Sequence, residues 1–429
     1  MSASPPPAAL RALLRFAPDH ELAAGRLALD GGIALFEYAP SFLASGLLLN
    51  PFFPEPRDGE LVSARNPRYF EGLHGVFWHS LPDAWGMTLM RRRAEAHGIA
   101  FNSLSAIDLL RLVGSRGPGA LVYQPEAPLR DDDAIDLDIV ADDAMATAMG
   151  DEPTDIDQLE RLGGSSGGAR PKVLVGIGPD GALHPGDRDL PDGIEHWIVK
   201  FRSSRNDAED IGPLEAAYAD MARAAKLHVS PTRLLEGTRG RYFATKRFDR
   251  LPGNRRVHML SAAALLDAPW EQPAIGYDDL LRTTRFVTRD QRAVDAMFRR
   301  MVFNVLAHNR DDHANQHAFL MTADGRWELA PAYDLTFSRG PGAEHYLDVG
   351  GRGGDDITRT QIEALGKIHG LSKKRADAII SEVSEAVSDF RSFAATYAVS
   401  PRTLVLVENA IGAGLRRISS PGFTPPGTL

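Results

Sequence analysis

The sequence predicts an α+β protein with a strand-rich first part and a helical second part. Three observations lead there. Before about residue 255, apolar residues fall in short alternating runs closed by Gly, Pro, Asn or Asp, which is the pattern of strands and turns. Beyond it, they recur mainly at three- and four-residue spacing over long stretches, which is the pattern of amphipathic helices. Inside the helical part, a polar stretch from His308 to His317 interrupts the pattern and gathers acids and histidines.

The chain has 429 residues, enough for two or three domains with a large core. There are no cysteines, which excludes disulfides, thiolate catalysis and cysteine-based zinc sites and suits a reducing cytoplasmic setting. The first residues lack a basic region followed by an apolar one, so no secretory signal is expected. No apolar run approaches the ~20 residues needed to span a bilayer, so no membrane association is expected. The net charge is −9, but residues 131–160 hold twelve acids and no Lys or Arg, leaving the remainder at +3. That remainder is compatible with a nucleotide or a nucleic-acid-associated partner, and the acidic stretch reads as a solvated linker or helix surface.

In chain order, residues 1–19 are expected to be a loose end. Residues 26–38 read as a hairpin turning at Asp30-Gly31-Gly32. A proline-rich loop follows, then helices over 75–97 and 105–113 and a short strand over 120–123. Leu81-Pro82-Asp83 opens one of those helices. These elements make an N-terminal α/β domain, 1–125, followed by the acidic linker, 126–160.

Residues 163–168 form a glycine-rich turn with Ser165, Ser166, Gly167 and Gly168, and Lys172 opens the β-branched strand behind it. Such a loop brings backbone N–H groups close to phosphate oxygens because no side chain blocks the approach. It matches neither standard glycine fingerprint of nucleotide sites, and a plain hairpin turn is the alternative. A strand over 196–201 places His196, Ile198 and Lys200 on one face. A lysine among apolar neighbours needs a carboxylate or phosphate, unless its head reaches water. The helix over 213–226 has Pro213 in its first turn and the stripe Leu214, Tyr218, Met221 and Ala225. Glu215 suits the first turn electrostatically; the functional alternative is that it clamps Lys200. A strand over 242–249 closes this part, 161–254.

The helical part, 255–429, carries predicted helices over 278–285, 292–307, 358–365, 372–397 and 401–418. The fourth is capped by Ser372. The basic turn 370–375 gives 360–385 a superficial likeness to a DNA-binding helix pair. After the helix 292–307 comes the polar stretch, then a hairpin with arms at 318–321 and 327–329 that leads to Asp334. Asp311, Asp312 and Asp334 thus flank one small hairpin. Like charges held together repel, and a cation between them relieves this.

Phosphoryl transfer asks for such a layout: one Asp for the attacking hydroxyl, a second for Mg²⁺, and an amide oxygen five residues after the first Asp. Five residues after Asp311 stands Gln316, with Asn315 one position short. Two other readings stay open on the residues alone. One is a solvated loop. The other is a metal hydrolase using His308, Asp312, His313 and His317, which lacks the helical His pair with adjacent Glu of zinc hydrolases.

Taken together, Leu81-Pro82-Asp83, the loop from Ser165 to Lys172, Ile198 to Lys200, Lys246 to Arg250, Asn309 to His313 and Tyr333-Asp334 resemble the HipA-type serine/threonine kinase toxins of bacterial toxin–antitoxin systems. The resemblance covers nearly the whole chain. It implies a protein-kinase-like core of two lobes, a β-rich small lobe (161–254) and a helical large lobe (255–429), with the N-terminal domain packed on it. It implies an ATP- and Mg²⁺-dependent enzyme. By resemblance Asp311 is the catalytic base and Asp334 binds Mg²⁺. Gln316 stands where the family has a metal-binding Asn. Ser165, Ser166, Gly167, Gly168, Lys172 and Lys200 line the phosphates. Lys246 and Phe248 face the adenine, and His313 joins Gln316 at the nucleotide. Ser165 stands where the family autophosphorylates a serine, with Ser166 as the neighbouring choice. Family members phosphorylate proteins such as aminoacyl-tRNA synthetases. They are restrained by a helix-turn-helix antitoxin, through which alone they meet DNA. Gln316 also raises an alternative: a kinase-like module that binds ATP or a partner but turns over weakly.

Overall fold

The computed structural model describes residues 9–53, 57–126, 137–163, 170–202, 208–238, 240–270 and 274–418. The α+β class holds. The chain divides into two compact units. The first takes in residues up to 204, 247–269 and 320–326; the second takes in 205–246, 270–319 and 327 onward.

The first unit opens with a five-stranded antiparallel sheet in the order β4-β3-β2-β1-β5. Its strands are β1 (Leu10–Ala17), β2 (His20–Asp30), β3 (Ile33–Tyr38), β4 (Leu61–Ser63) and β5 (Leu121–Gln124). Residues 1–19 were expected to be loose, and β1 corrects this for 10–17. It lies between β2 and β5, with Leu10, Ala12, Leu14 and Phe16 buried and Arg11 between them. That alternation is a half-buried strand's signature. The expected hairpin forms, with Asp30 opposite Ile33 and positive φ at Gly31 and Gly32. Both central residues of a two-residue turn with that twist need positive φ, which glycine adopts without steric cost.

The helices of this part are α1 (Pro40–Ser45), α2 (Gly75–Trp78), α3 (Ala84–Ala96), α4 (Ala106–Val113), α5 (Leu137–Met149) and α6 (Ile156–Leu162). Asp83 caps α3 through Gly86 N at 2.8 Å. The acidic stretch carries α5 and α6. Val140, Ala144, Leu159 and Leu162 bury one side of it. Two of its acids are paired: Arg93 meets Asp157 and Glu160 at 3.0 and 2.7 Å, and Arg116 meets Glu160 at 3.2 Å.

Next come β6 (Lys172–Ile177), β7 (Leu183–Pro185) and β8 (Glu195–Lys200), antiparallel with β6 in the middle. The second unit supplies α7 (Ile211–Ala224) and the antiparallel hairpin of β9 (Thr232–Glu236) and β10 (Arg241–Lys246). The first unit resumes with β11 (Arg250–Leu251) paired to β12 (Arg255–Arg256), then β13 (His258–Ser261) and α8 (Ala262–Leu266).

The rest of the second unit is mainly helical. It holds α9 (Tyr277–Thr288), α10 (Gln291–Leu306), α11 (Arg359–Ile368), α12 (Lys373–Ser388), α13 (Phe390–Thr396) and α14 (Pro401–Ile418). The single helix expected over 372–397 is two, broken at Asp389. The Asp389 side chain accepts from Ser392 Oγ at 2.5 Å and its carbonyl from Ser392 N at 3.0 Å, a local alternative to the helical ladder. After α10 come β14 (Ala318–Met321) and β15 (Trp327–Leu329), the expected hairpin. It is closed by Thr322 N to Arg326 O at one end and Ala330 N to Ala318 O at the other, 3.0 Å each.

Candidate functional site

α10 ends because its Ala307 N–H still reaches Phe303 O at 2.7 Å, while His308 takes positive φ and turns the chain away. The carbonyl left at Ala307 accepts from Tyr218 Oη on α7 at 2.7 Å, in a fully buried setting. The polar stretch is therefore launched from a fixed point.

Beyond it, alternate residues do different work. His308, Arg310 and Asp312 hold a later segment, 338–357. Ser338 N donates to His308 O at 3.0 Å. Arg310 donates to Ala343 O and pairs with Asp355 at 2.6 Å. Asp312, fully buried, lies 2.9 Å from His345 Nδ1 and accepts from Tyr346 N at 3.0 Å. Tyr277 Oη adds a third bond to Asp312 at 2.7 Å, and Asn304 Nδ2 holds that hydroxyl at 2.9 Å. Burial raises the Asp312 carboxyl, but His345 beside it and the bonds from His345 and Tyr277 outweigh this and hold it below the ordinary value. Asp312 is thus a structural anion, and the carboxylate beside it in sequence is the exposed one.

Asp311 keeps 52% of its side chain exposed and lies 3.9 Å from His313 Nε2. His313 Nε2 lies 3.5 Å from Gln316 Nε2, and Gln316 Nε2 donates to Asp334 Oδ2 at 2.7 Å. Four of the candidates, Asp311, His313, Gln316 and Asp334, therefore form one continuous chain of contacts. Trp270 and Tyr346 pack on the His313 ring at 4.9 and 5.4 Å between centroids. Burial lowers the His313 pKa, with Asp311, Asp334 and Asp312 opposing. Burial also pushes His317 down to about 3. Asp334 itself has φ 55°, in the left-handed region, a conformation that costs a non-glycine residue about 1–2 kcal/mol and gathers at functional sites.

The metal-hydrolase reading of the histidines loses its ligands here. His308 Nδ1 faces Ser338 O at 3.1 Å and His317 Nε2 faces Asp312 O at 3.2 Å. Among the described residues no three His, Asp or Glu side chains form a metal cage. The oxygen set of Asp334 and Gln316 suits Mg²⁺, which binds one or two carboxylates and fills the rest of its octahedron with water and phosphate oxygen. Gln316 fits once its amide turns about its last torsion. That brings the carbonyl oxygen to the face now occupied by the nitrogen, beside the Asp334 carboxylate.

The remaining candidates are placed as follows. Ser165, Ser166, Gly167 and Gly168 lie outside the described residues. Lys172 is buried, with its ammonium on Asp83 at 2.8 Å and its carbonyl accepting from Trp85 Nε1 at 3.1 Å. Lys200, Lys246 and Phe248 are half-buried. Lys246 N donates to Pro231 O at 2.9 Å, the strand pairing expected of its segment. Glu215 is 3% exposed on α7. In the basic turn, Lys373 pairs with Asp377 and Arg375 with Asp295, both at 2.8 Å. Two of its three bases are thereby paired with acids at the surface.

Sequence reasoning missed Tyr277, Asn304, His345, Asp355 and Arg417. Nothing local marks them, since each acts on a residue at least five positions away. The one available signal was that a buried Asp needs several donors.

The family described as HipA-like C-terminal domain matches residues 164–390, and the HipA N-terminal domain matches 20–124. No curated protein is significantly similar. Among solved structures, HipA of Shewanella oneidensis, in a toxin–antitoxin complex with HipB and operator DNA, matches with a TM-score of 0.69 at 18% identity, covering 94% of this chain and 96% of that one. A proinflammatory kinase of Helicobacter pylori, CtkA, matches at 0.37 and 14% identity over 52% of this chain and 88% of its own.

Proposed function

Because the chain belongs to the HipA-like family, we propose that it is an ATP- and Mg²⁺-dependent protein serine/threonine kinase and acts as a growth-inhibiting toxin. The observation that carries the reading is the contact chain Asp311–His313–Gln316–Asp334, with Asp312 withdrawn into the support beneath it.

Asp311 is the exposed carboxylate that takes the proton from a substrate hydroxyl as its oxygen bonds to the γ-phosphorus of ATP and the bond to the departing diphosphate breaks. Asp334 and Gln316 would hold Mg²⁺, which when bound would supply charge that screens the phosphates. His313, kept neutral by burial, spaces Asp311 from Gln316 without adding a cation. Lys200, Lys246, Phe248 and the glycine turn with Ser165 are assigned to the nucleotide on the sequence resemblance, as are the lobes 161–254 and 255–429. Autophosphorylation of Ser165 would add nearly two negative charges beside the ATP phosphates and switch the enzyme off.

The protein substrate belongs to the translation apparatus, with an aminoacyl-tRNA synthetase as the type. The regulator is a helix-turn-helix antitoxin that brings DNA only indirectly; the Shewanella HipA was solved with HipB and its operator. A cytoplasmic setting goes with these partners. Among the described residues no helix is long and apolar enough to cross a membrane.

Purified protein should incorporate label from γ-labelled ATP, and Asp311→Asn should not. Equal labelling of both would end the assignment of the base. Mass spectrometry should find the phosphate on Ser165; phosphate confined to 255–429 would refute the loop switch. The bond from Gln316 to Asp334 favours a second reading, a module with weak turnover, because it occupies the metal ligands. Gln316→Asn separates the two. A large gain in rate supports weak turnover, and a loss shows that Gln is the fitted ligand.

A further inference from the structure

We propose that Asp355 is a positioning residue that orders the segment 338–357 permanently, in the place a phosphate takes in kinases whose loop is ordered by phosphorylation. This rests on the kinase reading above. The residue before the catalytic base, Arg310, has only 4% of its side chain exposed and pairs with the Asp355 carboxylate at 2.6 Å. Asp355 keeps 77% of its own side chain exposed, so its hold comes from meeting two guanidiniums at once, the buried one of Arg310 and that of Arg417. Arg417 of α14 meets the same Asp355 oxygen at 3.1 Å and donates from Nε to Ile357 O at 2.8 Å. One carboxylate thus joins the catalytic stretch, the later segment and the last helix. Burial raises the Asp355 carboxyl, but the bonds and charges of Arg310 and Arg417 together outweigh it and hold it below the ordinary value.

The segment's backbone is shaped to close on this point. Gly340 has φ 67° and a Cβ there would lie 1.9 Å from Glu344 O. Gly354 has φ 56° and a Cβ there would lie 2.9 Å from Ala343 O. Ala343 O is also the carbonyl that Arg310 holds. Further along, His345 and Tyr346 fasten on Asp312. In kinases ordered by phosphorylation, arginines capture the added phosphate and order the loop. Here the charge is encoded, and no second phosphorylation event is needed before Asp311 is in position.

The test uses the full chain with Asp355→Ala, Asp355→Asn, Asp355→Glu and Arg417→Ala. Hydrogen exchange without ATP should rise at least tenfold in 338–357 for Asp355→Ala and Asp355→Asn, with α12 unchanged. Arg417→Ala should show a smaller rise and Asp355→Glu should restore protection. Phosphoryl transfer should lose at least tenfold in kcat, with KM for ATP within twofold. Wild type treated with phosphatase should keep its protection in 338–357, and its rate should not fall, since removing phosphate from Ser165 relieves inhibition. Unchanged exchange in Asp355→Ala, or loss of protection in 338–357 after phosphatase, would overturn the proposal. Wild type that transfers no phosphate while exchange responds as stated would instead overturn the kinase reading and leave the ordering role standing.

Discussion

Asp311 and Asp312 are adjacent and chemically identical, yet the fold gives them opposite tasks. Asp312 is surrounded by Tyr277, His345 and the Tyr346 N–H. Its folded pKa is lowered. Its stabilising effect is therefore complete above the ordinary carboxyl pKa of about 3.9 and vanishes as pH falls through the lower folded value. Asp312→Asn should be less stable than wild type by about 3 kcal/mol or more at pH 7, and the gap should begin to narrow below about pH 4. Urea melts across pH 3–7 check this; a gap that persists or widens in acid would remove the charge argument. Asp311, Gln316 and Asp334 were legible in the sequence because one local spacing and one hairpin define them. The Asp312 network was not, because Tyr277 and His345 lie 35 and 33 residues away in the chain.

At the scale of elements, α7 is tied to the catalytic stretch through one hydroxyl. Tyr218→Phe keeps the ring against Phe390 but leaves the buried Ala307 carbonyl without that donor. The expected cost is about 1–3 kcal/mol, read as a lower urea midpoint with unchanged slope; a shift within error would mean that another donor replaces it. The long helices were legible from their apolar stripes, with ends mostly within a few residues of those observed. β1 was not, because Leu13 and Leu14 are both buried and blur an otherwise plain alternation. The break at Asp389 was hidden because the apolar pattern runs through it: Val387 and Phe390 are buried on either side.

At the scale of the whole molecule, the first unit ties the N-terminal sheet and helices to the strands that follow. Asp249 accepts from Gly119 N at 2.8 Å, Arg247 at 2.7 Å and Arg250 at 2.6 Å, and Arg250 donates to Gly117 O at 2.8 Å. Arg247, Asp249 and Arg250 belong to the stretch Lys246–Arg250, of which the sequence reading gave the backbone of Lys246 to Phe248 to the adenine; the Arg and Asp side chains hold 117–119. Together with Lys172 on Asp83, they make removal of 1–125 strip partners from buried charges. A chain starting at 126 should aggregate on expression, while Asp249→Ala in the full chain should lose about 3–5 kcal/mol. A soluble, cooperatively melting truncated chain would show that the N-terminal part is a separable module.

The most direct test of the account pairs binding with turnover in wild type, Asp311→Asn and Asp334→Asn. ATP affinity is measured by calorimetry with and without Mg²⁺, and transfer by γ-label. Asp311→Asn should bind ATP as wild type does and transfer no label, whereas Asp334→Asn should lose the effect of Mg²⁺ on binding. Label transfer by Asp311→Asn at the wild-type rate, or a Mg²⁺ effect untouched in Asp334→Asn, would contradict it.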